Sequence, residues 1–126
     1  MVYHHRAICM RDLRAALVAV PPLLTDLIRY TLMSRVPITV VCELADVRDL
    51  EWLVSEIDVV LLGSPGLLET AKAAATVEIL VLSDDFRELR WPATGRSMPL
   101  SVENLIGTLE RIADDLDLRS QSNPDP

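Results

Sequence analysis

The residues able to do chemistry in this 126-residue chain are few and scattered. Asp58-Val-Val-Leu-Leu-Gly63-Ser64-Pro65-Gly66 is an apolar run closing on a glycine turn, the pattern of a buried parallel strand with a loop at its carboxyl end. In open α/β sheets, ligands collect at that end of the strands. The loop carries one hydroxyl, Ser64, and no carboxylate, histidine or thiol. Asp84 and Asp85 form an acidic pair after a second apolar run, and with Ser83 and Ser64 they are the candidate set for acid–base work or cation binding. Adjacent loop residues point apart, so solvated turn residues are the competing reading. His4 and His5 have no third ligand nearby, and no Ser/His/Asp set can be assembled. Cys9 and Cys42 lack CxxC or metal-ligand spacing and read as small buried hydrophobes. Gly63 and Gly66 are too sparse for a dinucleotide fingerprint.

Composition narrows the class. Half the residues are hydrophobic and only 4% are aromatic, so the core is expected to be built from Val, Leu, Ile and Ala in one compact domain. A formal charge of −7 argues against nucleic acid, which is bound through cationic patches. It suits a basic protein partner or simple solubility. The most apolar stretch, Ala15 to Leu24, is broken by Pro21-Pro22 and is too short to span a bilayer. With no leader-like segment, a cytoplasmic location away from membranes is the expectation.

These residues need elements to position them. Met1 to Arg14 reads as an N-terminal arm, residues 15–116 as the domain, and residues 117–126 as a disordered tail. Ala15 to Val20 is the first buried strand, and residues 22–34 form an amphipathic helix with Leu24, Leu27, Ile28, Thr31 and Leu32 on its apolar face. Ile38 to Cys42 is the second strand. Asp46 caps a helix carrying Val47, Leu50, Leu53, Val54 and Ile57 on one face, with Trp52 off that stripe as an exposed anchor or a lid over the core edge. Asp58 to Leu62 is the central strand. Ser64 caps and Pro65 begins a third helix, and Val77 to Leu82 is a fourth strand. From Phe86 to Met98 neither period fits, leaving a short helical turn and one edge strand. Ser101 caps a final helix whose buried face is Val102, Leu105, Ile106, Leu109, Ile112, Ala113 and Leu116. Strands alternating with helices predict right-handed crossovers and a parallel sheet covered on both faces.

The order of these pieces resembles the receiver domain of bacterial response regulators. Leu17-Val18-Ala19-Val20-Pro21-Pro22-Leu23-Leu24 is similar to that family's first strand and turn, and Val40 to Asp46 to its second strand and loop. Asp58 to Gly63 with Pro65-Gly66 resembles the strand and loop around the phosphoacceptor. Ile79 to Ser83 resembles the fourth strand with its hydroxyl switch residue, and Met98-Pro99 the lysine–proline step before the last helix. The resemblance implies a three-layer flavodoxin-like (CheY-like) α/β fold, a sheet of four or five parallel strands flanked by helices, with the fourth helix shortened or missing. The family's Mg²⁺-holding acidic positions fall on Ala19 and Val20, its acceptor aspartate on Gly63, and its lysine on Met98; only the hydroxyl remains, as Ser83. A hard cation needs oxygen ligands and phosphoryl transfer needs positioned charge. The resemblance therefore implies a degenerate pseudo-receiver with no catalytic residue, no cofactor and no Mg-dependent phosphoryl group. Ser64 is a conceivable substitute acceptor, though at a helix start its ordinary role is a cap.

The expected function is a phosphorylation-independent, receiver-like signalling module in a two-component system, acting on a protein partner or by dimerisation. Phe86, Arg90 and Trp91 form its possible interface, since an exposed aromatic beside arginines is hot-spot chemistry; Trp91 folded back over the final helix is the alternative. Two other functions stay open. One is a structural or assembly subunit, and the other a small flavodoxin-like enzyme or ligand binder using Ser83, Asp84 and Asp85.

Overall fold

The computed structural model describes residues 13–32, 35, 38–74 and 77–121. Residues 1–12, with His4, His5 and Cys9, lie outside the described residues. The order is β1 (Leu13–Val18), α1 (Pro22–Leu32), β2 (Ile38–Leu44), 3-10 segments Val47–Trp52 and Val54–Glu56, and β3 (Val59–Leu62). A 3-10 turn, Pro65–Leu67, then leads into α2 (Leu68–Ala74), followed by β4 (Glu78–Leu82), β5 (Glu88–Trp91), β6 (Arg96–Pro99) and α3 (Val102–Gln121). One six-stranded sheet runs in the order β2-β1-β3-β4-β5-β6.

β1, β3 and β4 are the three buried runs of the sequence, and they pair in parallel because helical or 3-10 segments carry the chain back between them. Alternate residues feed opposite faces. Leu13, Ala15, Leu17, Val59, Leu61, Leu80 and Leu82 meet α1 and α3 on one side. Ala16, Val18, Val60, Leu62, Ile79 and Val81 meet the Val47–Ile57 stretch and α2 on the other. β2 changes sides partway. Its register with β1 skips Val41, and the extra residue moves the pattern from Ile38 and Val40 on the first face to Cys42 and Leu44 on the second.

The expected flavodoxin-like sheet of four or five parallel strands is corrected. The parallel part stops at four strands; β5 pairs antiparallel with β4, and β6 antiparallel with β5. The cause is chain length. Only Ser83 to Arg87 separates β4 from β5, and a parallel return needs a crossover of a dozen or more residues. The helical turn expected between Phe86 and Met98 is instead the turn of a hairpin, Pro92 to Gly95. β5 shows the signature of a sheet covered on one face: Leu89 and Trp91 are buried and Glu88 and Arg90 exposed.

Smaller corrections have equally local causes. The expected helix over residues 46–57 is two 3-10 segments, and the apolar spacing Val47, Leu50, Leu53 is a period of three, which eclipses in a 3-10 turn. β1 begins at Leu13, so residues 13 and 14 belong to the sheet and not to the arm. α3 continues to Gln121, beyond the end expected at Leu116. Leu27, expected on the buried face of α1, is 52% exposed.

Among local devices, Asp58 holds the start of the sheet. Its carboxylate accepts from the Arg14 main-chain N–H at 2.8 Å and from the Arg14 guanidinium, while its own N–H donates to the Arg14 carbonyl. Asp46 caps the first 3-10 segment through the Arg48 N–H.

Leu50 is fully buried and Trp52 is 80% exposed on the same 3-10 segment. Leu50→Ala is expected to cost about 2–5 kcal/mol in urea unfolding, and Trp52→Ala less than about 0.5 kcal/mol. The Arg48 guanidinium, then its main-chain N–H, lowers the Asp46 carboxyl from 3.8 to about 2. A depressed carboxyl stabilises above its unfolded pKa and loses that contribution as pH falls through the folded one. The stability advantage of the wild type over Asp46→Ala is thus expected to persist at neutral pH and to shrink as pH falls from 3.8 to about 2, read by unfolding curves at each pH.

Candidate functional site

The carboxyl ends of β1 and β3 flank the crevice where the strand order reverses, the position at which open α/β sheets take ligands. Here the crevice is closed by main chain. Ala19 leaves β1 with a φ of 58°, in the left-handed region, and its N–H donates to the Leu44 carbonyl at 2.8 Å. That conformation lays the Ala19 peptide against Gly63, whose N–H donates to the Val18 carbonyl at 2.9 Å. A Cβ at Gly63 would lie 2.7 Å from the Ala19 carbonyl carbon, closer still to its oxygen, and 3.2 Å from the Val20 Cα. Any side chain there is excluded by backbone, which cannot yield as a flexible side chain would. Ala19, Val20 and Gly63 come together as a packed main-chain contact.

Met98 is brought elsewhere. It sits on edge strand β6, pairs with Leu89 and packs against the α3 side of the core, its sulfur 3.5 Å from the Thr108 hydroxyl. β4 and β5 lie between it and β3, three strand spacings or about 14 Å.

Ser83 is buried, and its hydroxyl is occupied by the turn. It donates to Asp85 Oδ1 at 2.7 Å and accepts the N–H groups of Arg87 at 3.1 Å and Glu88 at 2.9 Å. The Ser83 hydroxyl and then the Arg87 N–H hold the Asp85 carboxyl below its ordinary range. Asp84 turns the other way and accepts from the Ser64 hydroxyl at 2.9 Å. Ser64 also caps the Pro65–Leu67 turn by accepting from the Gly66 N–H. The two carboxylates therefore serve separate contacts, and no group of three His, Cys, Asp or Glu among the described residues is arranged to hold a metal ion.

The expected interface trio divides. Trp91 is 3% exposed, lies in the cluster formed with α3, and donates from Nε1 to Glu78 Oε1 at 2.9 Å, so it is no surface anchor. Phe86 is 38% exposed at the tip of the Ser83 turn, with a φ of 56°, and Arg90 is exposed and paired with Glu88 at 3.2 Å. Cys42 is half-buried, and burial raises its thiol pKa, with Glu43 and Glu56 adding to the rise; that disfavours a reactive thiolate.

The surface that sequence reasoning missed is the outer side of α1. Leu23 is 83% and Tyr30 82% exposed, flanking Leu27. Beside them a groove of about 210 Å³ runs between α1 and the start of α3, lined by Leu24, Leu27, Ile28, Leu100, Val102 and Leu105. The signal was present: α1 is apolar on more of its circumference than one buried stripe requires. No helix among the described residues is long and apolar enough to cross a membrane.

Gly63→Ala is expected to cost at least about 3 kcal/mol because main chain blocks its Cβ. Gly107→Ala, on the exposed side of α3 with nothing near, is expected to stabilise by about 0.5–1 kcal/mol. Paired urea titrations read both.

No family model, curated protein or solved structure matches the chain, so its likeness to receivers rests on its own residues.

Proposed function

We propose that this chain is a receiver-like signalling module that works without phosphorylation, by presenting its surface to a protein partner or to another copy of itself, and that it is not an enzyme. The resemblance in sequence runs over about residues 15–116, while the sheet itself is parallel from β2 to β4 and antiparallel at the β5–β6 hairpin. The observation that carries the proposal is the closure at Gly63: the position of the acceptor carboxylate is filled by the Ala19 peptide. Phosphoryl transfer also needs a cation to meet the developing charge, and Met98 is uncharged and three strands away. The alternative use of Ser83, Asp84 and Asp85 as a small enzyme or ligand site has less support, because each already has a hydrogen bond that shapes the turn.

The test is exposure of the folded protein to acetyl phosphate and Mg²⁺, read by intact mass. No adduct is expected, and a phosphoryl adduct on any residue would overturn the proposal. Ser64→Ala is expected to behave as the wild type does, with no added phosphoryl mass, since its hydroxyl serves Asp84 and the Gly66 N–H.

A further inference from the structure

We propose that the first 3-10 segment, Val47–Trp52, docks a short basic segment of a partner protein, with an arginine stacked on the Trp52 indole and Asp49 and Glu51 meeting its charge. This rests on the reading above of the chain as an interaction module, and it names the surface and the chemistry of the partner. Trp52 is 80% exposed, but the turn that carries it is fixed. Val47 and Leu50 are buried against the sheet, the Asp46 carboxylate caps the start, and the Leu53 N–H donates to the Leu50 carbonyl at 3.0 Å. An aromatic held on a rigid turn loses little freedom when it is covered.

The period of three sets Asp49 on the same row of the segment as Trp52, about 6 Å along the axis, with Glu51 on the adjoining row. Both carboxylates are exposed, and neither makes an ion pair among the described residues. Arg48 is the cation of the segment, and its guanidinium is engaged by the Asp46 carboxylate at 2.8 and 3.2 Å. That leaves the indole and the two carboxylates to a cation from another molecule.

Charge complementarity selects the occupant. A guanidinium is drawn to this patch twice, by the carboxylates and by the face of the indole. An acidic partner would be repelled by the patch and by the chain's charge of −7. A second copy meeting it face to face would set the same carboxylates against each other. One aromatic with two carboxylates is also too small for a folded-domain interface and suits an extended segment.

Titration of the full chain with a hexa-arginine peptide tests the proposal, followed by calorimetry and tryptophan fluorescence, with intact mass after acetyl phosphate run on the same preparation. Saturable binding is expected, weakening as salt is added. The emission should change through Trp52, since Trp91 is buried. Trp52→Ala leaves the net charge untouched and is expected to weaken binding about three- to tenfold with the circular dichroism unchanged. Asp49→Asn with Glu51→Gln is expected to weaken it more than Glu110→Gln with Asp114→Asn, which removes the same charge from exposed positions of α3. Equal binding by the wild type and Trp52→Ala, or equal losses in the two charge variants, would reveal a diffuse attraction to an acidic chain and overturn the proposal. So would no binding, or self-association that Trp52→Ala abolishes, which would put a second copy on the patch. Any of these without a phosphoryl adduct overturns the docking site alone, whereas an adduct overturns the reading beneath it.

Discussion

Five residues, Ser83 to Arg87, constrain everything that follows β4. Too few to build a crossover, they can only reverse the chain, and the buried Ser83 hydroxyl fixes the reversal by joining Asp85, Arg87 and Glu88 around one oxygen. From that reversal comes the antiparallel hairpin, and from the hairpin the burial of Leu89 and Trp91 under α3. Displacement of Met98 to the edge strand is a further consequence. A hydroxyl that the receiver likeness assigns to switching is thus a fixed part of the turn.

The other end of the sheet is governed by a close approach. Ala19 adopts a backbone conformation that L-residues avoid at a cost of about 1 kcal/mol or more, and a hydrogen bond to Leu44 keeps it there. The peptide so placed needs a neighbour without a Cβ, and Gly63 is that neighbour. Each residue makes the other tolerable: the strained turn covers the crevice, and the glycine gives it room. The crevice offers no space for a side chain at its centre.

The most exposed apolar side chains are Leu23 and Tyr30 on α1 and Trp52 on the first 3-10 segment. α1 must bury Ile28 and part of Leu24 to cover β1 and β2, but a helix needs only one stripe for that purpose. Leu23, Leu27 and Tyr30 lie beyond that requirement.

Local pattern was enough to read the buried runs of β1, β3 and β4, the caps at Asp46, Ser64 and Ser101, and the inner face of α3, because burial on both faces or along one stripe writes itself into consecutive residues. That Ala19, Val20, Gly63 and Met98 bring no charged side chain needed only residue identity. Strand direction after Leu82 was not legible, since alternation in Glu88 to Trp91 fits either direction and the deciding constraint was connection length. Burial of Trp91 over the final helix was one of two readings the sequence left open, and the structure takes it because α3 returns over β5 and the Glu78 carboxylate on the neighbouring strand accepts the indole N–H. Residue type alone determined that the loop after β3 offers a hydroxyl, Ser64, and no carboxylate, histidine or thiol. Only the tertiary structure decided that main chain fills the space beside Gly63 and that α1 faces solvent with an apolar strip, because both follow from contacts between segments that the chain brings together only on folding.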